Sequence, residues 1–80
     1  KPRGTGGFEH NTNRPGNDYD SFDLRTAEPR LCRNACQSDS RCRAWTYVKP
    51  GIQHPTRPKC WIKHHVPLAQ HNNCCVSGVK

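Results

Sequence analysis

The clearest apolar pattern in the chain is Leu31-Cys32-Arg33-Asn34-Ala35-Cys36. Leu31 and Ala35 stand four apart, as do Cys32 and Cys36. A helix therefore gathers all four into one stripe and leaves Arg30, Arg33, Asn34 and Gln37 outside it. Thr26 or Glu28 suits the cap, Pro29 suits the first turn, and Ser38-Asp39-Ser40 ends the helix within about three turns.

Two strands are expected after it. Cys42-Arg43-Ala44-Trp45-Thr46-Tyr47-Val48 is rich in strand-favouring residues and stops at Pro50-Gly51. Alternation puts Cys42, Ala44, Thr46 and Val48 on one face, and Arg43, Trp45, Tyr47 and Lys49 on the other. Cys60-Trp61-Ile62-Lys63 follows a loop containing Pro55 and Pro58, with Cys60 and Ile62 sharing one face and Trp61 and Lys63 the other. The two segments are expected to pair antiparallel, and a last short strand is expected from Cys74 to Val79.

The N-terminal half is more broken. Arg14-Pro15-Gly16-Asn17-Asp18 is a dense turn sequence. Tyr19, Phe22 and Leu24 beyond it fit a short strand or an irregular packed loop. Residues 1–7 carry no apolar side chain and two basic ones, so they read as a flexible basic arm or linker before a single domain over 8–80.

Cysteines four apart on a helix point the same way, toward a sheet packed on that face. The economical arrangement lays both strands under the helix and joins Cys36 to Cys42 and Cys32 to Cys60, although six cysteines allow 15 connectivities. Cys74 and Cys75 are left with three options. They can bond each other, exchange into the other pairs, or split, with one bonded inward and its neighbour free.

Composition explains why these cross-links matter. Phe, Leu, Ile and Val together make 11 of 80 residues, and the net charge is +7. That balance ordinarily describes a disordered chain. Six cysteines and two tryptophans argue for a small stapled domain in an oxidising compartment. No apolar run approaches the roughly 18 residues of a membrane-spanning helix. The chain opens at Lys1, which reads as a mature or excised segment of a longer product.

The charge is unevenly placed. Residues 1–39 carry six acids and six bases, which cancel, whereas 40–80 carry seven bases, no acid and four of the five histidines. The whole net charge thus belongs to the second half, and it favours an anionic partner.

The run Cys-x-x-x-Cys in a helix, then Cys42-x-Ala44-Trp45-Thr46-Tyr47, then Cys60-Trp61-Ile62-Lys63, resembles the PAN/apple domain across roughly Phe8 to Lys80. Arg14-Pro15-Gly16-Asn17-Asp18-Tyr19 and the terminal Cys74-Cys75-Val76-Ser77-Gly78-Val79-Lys80 resemble bacterial members in particular. The resemblance implies an α+β, disulfide-rich fold in which a curved antiparallel sheet is crossed by one short helix. Its two helix-to-sheet disulfides fall on Cys32–Cys60 and Cys36–Cys42. A third family disulfide, commonly joining the terminal regions, cannot form because no cysteine precedes Cys32. Cys74 and Cys75 depart from the family pattern, and a bond between them is the expectation for the third pair.

The candidate ligand surface is the strand face turned from the helix: Arg43, Trp45, Tyr47 and Lys49 beside Trp61 and Lys63. Aromatics interleaved with bases can stack a ring and hold sulfate, carboxylate or phosphate. The competing expectation is that the N-terminal segment and residues 64–80 cover these aromatics as a second small core. His64, His65, His71, Cys74 and Cys75 offer zinc-type ligands, but their spacing matches no tetrahedral motif, so no metal is expected. Asp18, Asp20 and Asp23 read as turn-forming and ion-pairing residues rather than a calcium loop or a glycosidase pair. No cofactor and no catalytic residue is expected, since every cysteine has a bridging role.

These readings converge on a non-catalytic extracytoplasmic recognition module. It would be part of a larger secreted or surface protein and would bind a protein or an acidic glycan through the basic surface of residues 40–80. The alternative is a small secreted basic cysteine-rich effector acting on membranes or inhibiting a target protein. Nucleic acid is excluded as a partner by compartment. Contact with a membrane surface stays open, and spanning one does not.

Overall fold

A computed structural model describes residues 7–80 of the chain. The arm expected over 1–7 lies, except for Gly7, outside the described residues. Six elements follow in order: β1 (Glu9–Asn13), β2 (Asp18–Asp23), α1 (Pro29–Gln37), β3 (Ala44–Val48), β4 (Lys59–Lys63) and β5 (Gln70–Val79). The strands form one five-stranded sheet in the order β1-β5-β3-β4-β2, every neighbour antiparallel. No described helix is long and apolar enough to cross a membrane.

The helix begins at Pro29, whose missing N–H costs nothing in a first turn. Glu28 occupies the cap position, but its side chain makes no capping bond, because its carboxylate is taken by the Thr26 hydroxyl at 2.9 Å and Arg30 at 3.0 Å. The buried helix residues are Cys32 and Cys36, and Leu31 is packed partly against the core. Cys32–Cys60 ties the helix to β4, and Cys36–Cys42 ties its last turn to the approach to β3. Cys74 and Cys75 bond each other within β5, so no described cysteine is free.

The core under the helix contains Leu24, Trp45, Tyr47, Ile62 and Val76 together with Cys32, Cys36, Cys42 and Cys60. Trp45 and Tyr47 therefore face the helix, the reverse of the expected parity for β3. The expected alternation starts at Cys42, but the strand starts at Ala44, and a bend at Arg43 precedes it. The bend lets Cys42 reach Cys36 without sharing a face with Ala44, Thr46 and Val48. In β4 the expected parity holds, with Cys60 and Ile62 inward.

The outer strands β1 and β2 are consecutive in the chain but lie at opposite edges of the sheet. Laid flat, the edges of five strands stand about 19 Å apart. The peptide steps from Asn13 to Asp18 reach about 17 Å even when fully extended. The segment is not extended, since Gly16 and Asn17 take φ values of 99° and 61°. The sheet must therefore curl until its edges approach, and residues 14–17 become a strap across its concave side.

Candidate functional site

The concave face, opposite the helix, is built by alternation. Lys59, Trp61 and Lys63 project onto it from β4, Thr46 and Val48 from β3, and Cys75 and Ser77 from β5. Under the strap Trp61, Lys63, Thr46, Val48 and Cys75 enclose a cleft of about 310 Å³, walled also by Ile52, Gln53 and Asp18, with Lys59 beside Trp61 at its margin. The turn-rich segment 49–58 closes one side, and the strap closes another.

Lys63 anchors the floor. Its side chain is only 3% exposed, and its ammonium donates to the Gly16 carbonyl at 3.2 Å and to the Asp18 carboxylate at 2.5 Å. A buried charge is tolerated only when paired and hydrogen-bonded, so these contacts hold the strap to the sheet and neutralise the lysine. Beside it Ser77 donates to the Thr12 carbonyl at 2.8 Å, which leaves Thr46 to donate to Ser77 at 2.8 Å. The floor is thus polar and internally satisfied.

Trp61 forms the stacking element. Its indole N–H donates to Gln53 Oε1 at 2.9 Å, which fixes the ring, and the Lys59 ammonium lies 5.3 Å from the ring centroid. Unlike Lys63, Lys59 has no carboxylate partner among the described residues. It presents a charge beside an aromatic face that is partly open to solvent.

The remaining wall comes from a bulge in β5. His10 pairs with Val76 and Thr12 with His71, so two steps in β1 match five in β5. The extra residues loop out with Asn11 at φ 54° opposite them. Cys74 and Cys75 sit in this bulge. The Cys74 N–H donates to Asn72 Oδ1 at 3.0 Å, and the Cys74 carbonyl accepts from Lys49 N at 2.9 Å. The joined cysteines present a compact apolar surface to the cleft.

The six residues expected on one surface are therefore divided. Trp61 and Lys63 line the cleft, whereas Trp45 and Tyr47 are buried against the helix, and burial raises the Tyr47 phenol above its ordinary pKa. Phe8 from the N-terminal segment meets Trp45 edge-on at 5.8 Å, so that segment does help to cover this aromatic. Arg43 and Lys49 flank the two ends of β3: Arg43 is exposed, and Lys49 reaches Asn11 Oδ1 at 3.4 Å. Lys59, Asp18, Gln53 and the Cys74–Cys75 wall were not expected in the site. Lys59 was readable from its parity with Trp61 and Lys63. The others depend on which loop crosses the sheet.

Outside the cleft, Arg14 clamps Glu9 through two bonds of 2.8 and 2.7 Å and donates to the Pro67 carbonyl at 2.6 Å. The Arg14 bond holds the Glu9 carboxyl below its usual pKa. Arg41 bonds Asp39 through both its side chain and its backbone and lowers that carboxyl to about 2. Burial and then Asp39 raise the pKa of Tyr19, whose ring carries Arg41 on one side and touches His64. His64, His65 and His71 are exposed, and the first two rings meet edge-on at 4.8 Å.

A family model described as PAN domain matches residues 12–63, more than half of the chain. The match spans the strap, the helix with both of its disulfides, and β4, and it ends before the β5 bulge. No curated protein matches the chain.

Proposed function

We propose, from the premise that this chain belongs to the PAN domain family, that it is a non-catalytic recognition module of a secreted or surface protein whose concave cleft takes an acidic glycan. PAN domains are in general protein- and carbohydrate-binding modules. The observation that carries the glycan reading is the Lys59 ammonium on the Trp61 ring at the cleft, with Lys63 already neutralised by Asp18. A sugar ring stacks its C–H face on the indole, and its carboxylate or sulfate meets Lys59. Asp18 and Gln53 supply acceptors and donors for hydroxyl groups.

The charge map supports the same direction. The acids that form ion pairs in the structure all come from residues 9–39, so the second half keeps most of its cations for a partner. Three disulfides fit an extracytoplasmic setting. The test is retention on uronate and sulfated polysaccharide columns across a salt gradient. Trp61→Ala and Lys59→Gln should each elute earlier than the parent chain. Elution of the parent no later than a generic basic protein of equal charge overturns the reading.

One observation favours the effector alternative. Leu68 is 87% exposed and Val66 47%, in a segment without acids. Apolar side chains beside bases can enter an anionic lipid interface. Leakage of vesicles containing phosphatidylglycerol, abolished by Leu68→Ser, would move the function to the membrane. Inert vesicles leave the glycan reading in place.

A further inference from the structure

We infer that a second binding site, built for an oxoanion (a carboxylate or sulfate on a small body with an apolar edge), lies where β3 begins. A cavity of about 390 Å³ opens there between Ser40, Cys42, Arg43, Val66, Val79 and Lys80. It shares no lining residue with the Trp61 cleft.

The cavity has fixed walls. Arg43 N donates to the Lys63 carbonyl at 2.8 Å, and Lys80 N donates to the Arg43 carbonyl at 2.9 Å, so three strand ends lock together. Cys42 is held by its disulfide to Cys36 and by its N–H to the Asp39 carbonyl. Val66 is positioned by the buried Pro67 next to it, whose carbonyl takes the Arg14 bond.

Two cationic side chains line this space and no acidic side chain does. The Arg43 guanidinium has no partner among the described residues, and Lys80 uses one of its three ammonium donors, on the Asp39 carbonyl at 2.7 Å. The neighbouring Asp39 carboxylate is already committed to Arg41, so it does not neutralise the pair. A guanidinium fork matches the oxygens of a carboxylate or sulfate in two parallel bonds. Ser40 adds a hydroxyl, and Val66, Val79 and Cys42 line an apolar edge. The volume suits a body the size of an amino acid or one sugar.

The test is titration of the oxidised chain with sodium sulfate and, separately, sodium butyrate, at ionic strength held constant with chloride. The signals followed by nuclear magnetic resonance are Arg43 Nε–H and the amides of Ser40, Val66 and Lys80. Saturating shifts confined to these groups are expected. Arg43→Gln should weaken binding at least tenfold, and Arg57→Gln, which removes another exposed cation, should leave it unchanged. Sulfate alone saturating would assign the site to sulfate; butyrate saturating more tightly would assign it to carboxylates with apolar bodies. Linear shifts spread over all the basic residues, or equal affinity in the Arg43→Gln chain, overturn the proposal. The readout is independent of any glycan at Trp61.

Discussion

Gly78 lies directly against the indole of Trp45: a Cβ built on Gly78 would stand 2.5 Å from Trp45 Cζ2. The two residues are paired across β5 and β3, and Trp45 is wholly buried. The largest side chain of the core therefore rests on a bare stretch of backbone. Because the indole is buried between the sheet and the helix-side core, it has no free direction in which to move.

Gly78→Ala is accordingly expected to destabilise the domain by about 1–3 kcal/mol, the usual cost of overpacking a filled core. Urea unfolding of the oxidised chain measures it. An unchanged midpoint would mean that the indole has room to move within the core.

The three disulfides should contribute unequally. In the chain-entropy account, closing the 28-residue separation of Cys32–Cys60 stabilises by about 3–4 kcal/mol and the 6-residue separation of Cys36–Cys42 by about 2. Cys74–Cys75 joins neighbours and removes almost no freedom from the unfolded chain. The paired change of Cys32 and Cys60 to Ser should abolish folding or lower the melting temperature sharply. The paired change of Cys74 and Cys75 to Ser should lower it by only a few degrees while altering the cleft wall. Peptide mapping under non-reducing conditions checks the pairings directly.

At Lys63 the direction of the change matters. Asp18→Asn leaves a buried ammonium facing only neutral oxygens, an incompletely compensated charge expected to cost about 1–3 kcal/mol. Lys63→Met removes the charge and keeps the volume, so it should cost less than Asp18→Asn. Thermal unfolding of both variants decides it. The reverse order would show that the strap is held by the lysine alone.

Acid should loosen the N-terminal edge and the helix exit. Glu9 and Asp39 both have folded-state pKa values below their unfolded ones, so each stabilises fully above the unfolded value and loses that contribution as pH falls through the folded value. For Asp39 the window runs from about 4 down to about 2. The melting temperature should therefore be flat from pH 7 to about 5 and fall below it. In the Glu9→Gln, Asp39→Asn double variant that fall should be shallower. A parallel fall in both chains would place the acid sensitivity elsewhere.

Much of this architecture follows from local rules. The four-residue spacing in Leu31–Cys36 and the Pro29 start define the helix, and its two cysteines reach the sheet as their spacing requires. The β4 parity follows too, because Cys60 is both the first buried strand residue and a disulfide partner. In β3 the same rule failed. Cys42 lies before the strand, and a bend at Arg43 changes which face the count begins on. That one-residue difference moved Trp45 and Tyr47 from the expected binding surface into the core.

What the sequence alone determined is therefore the class of the domain: a helix stapled to a sheet, and a second half whose cations have few acids nearby. Both depend on residue type and on spacings of a few positions. Tertiary structure decided where the site lies. The strap between Asn13 and Asp18 is too short to join the edges of a flat sheet, so the sheet curls, and the curl brings Asp18 to Lys63 and a cleft to Trp61. No local spacing encodes that closure, because it depends on which strands become edges and how far a few peptide units reach.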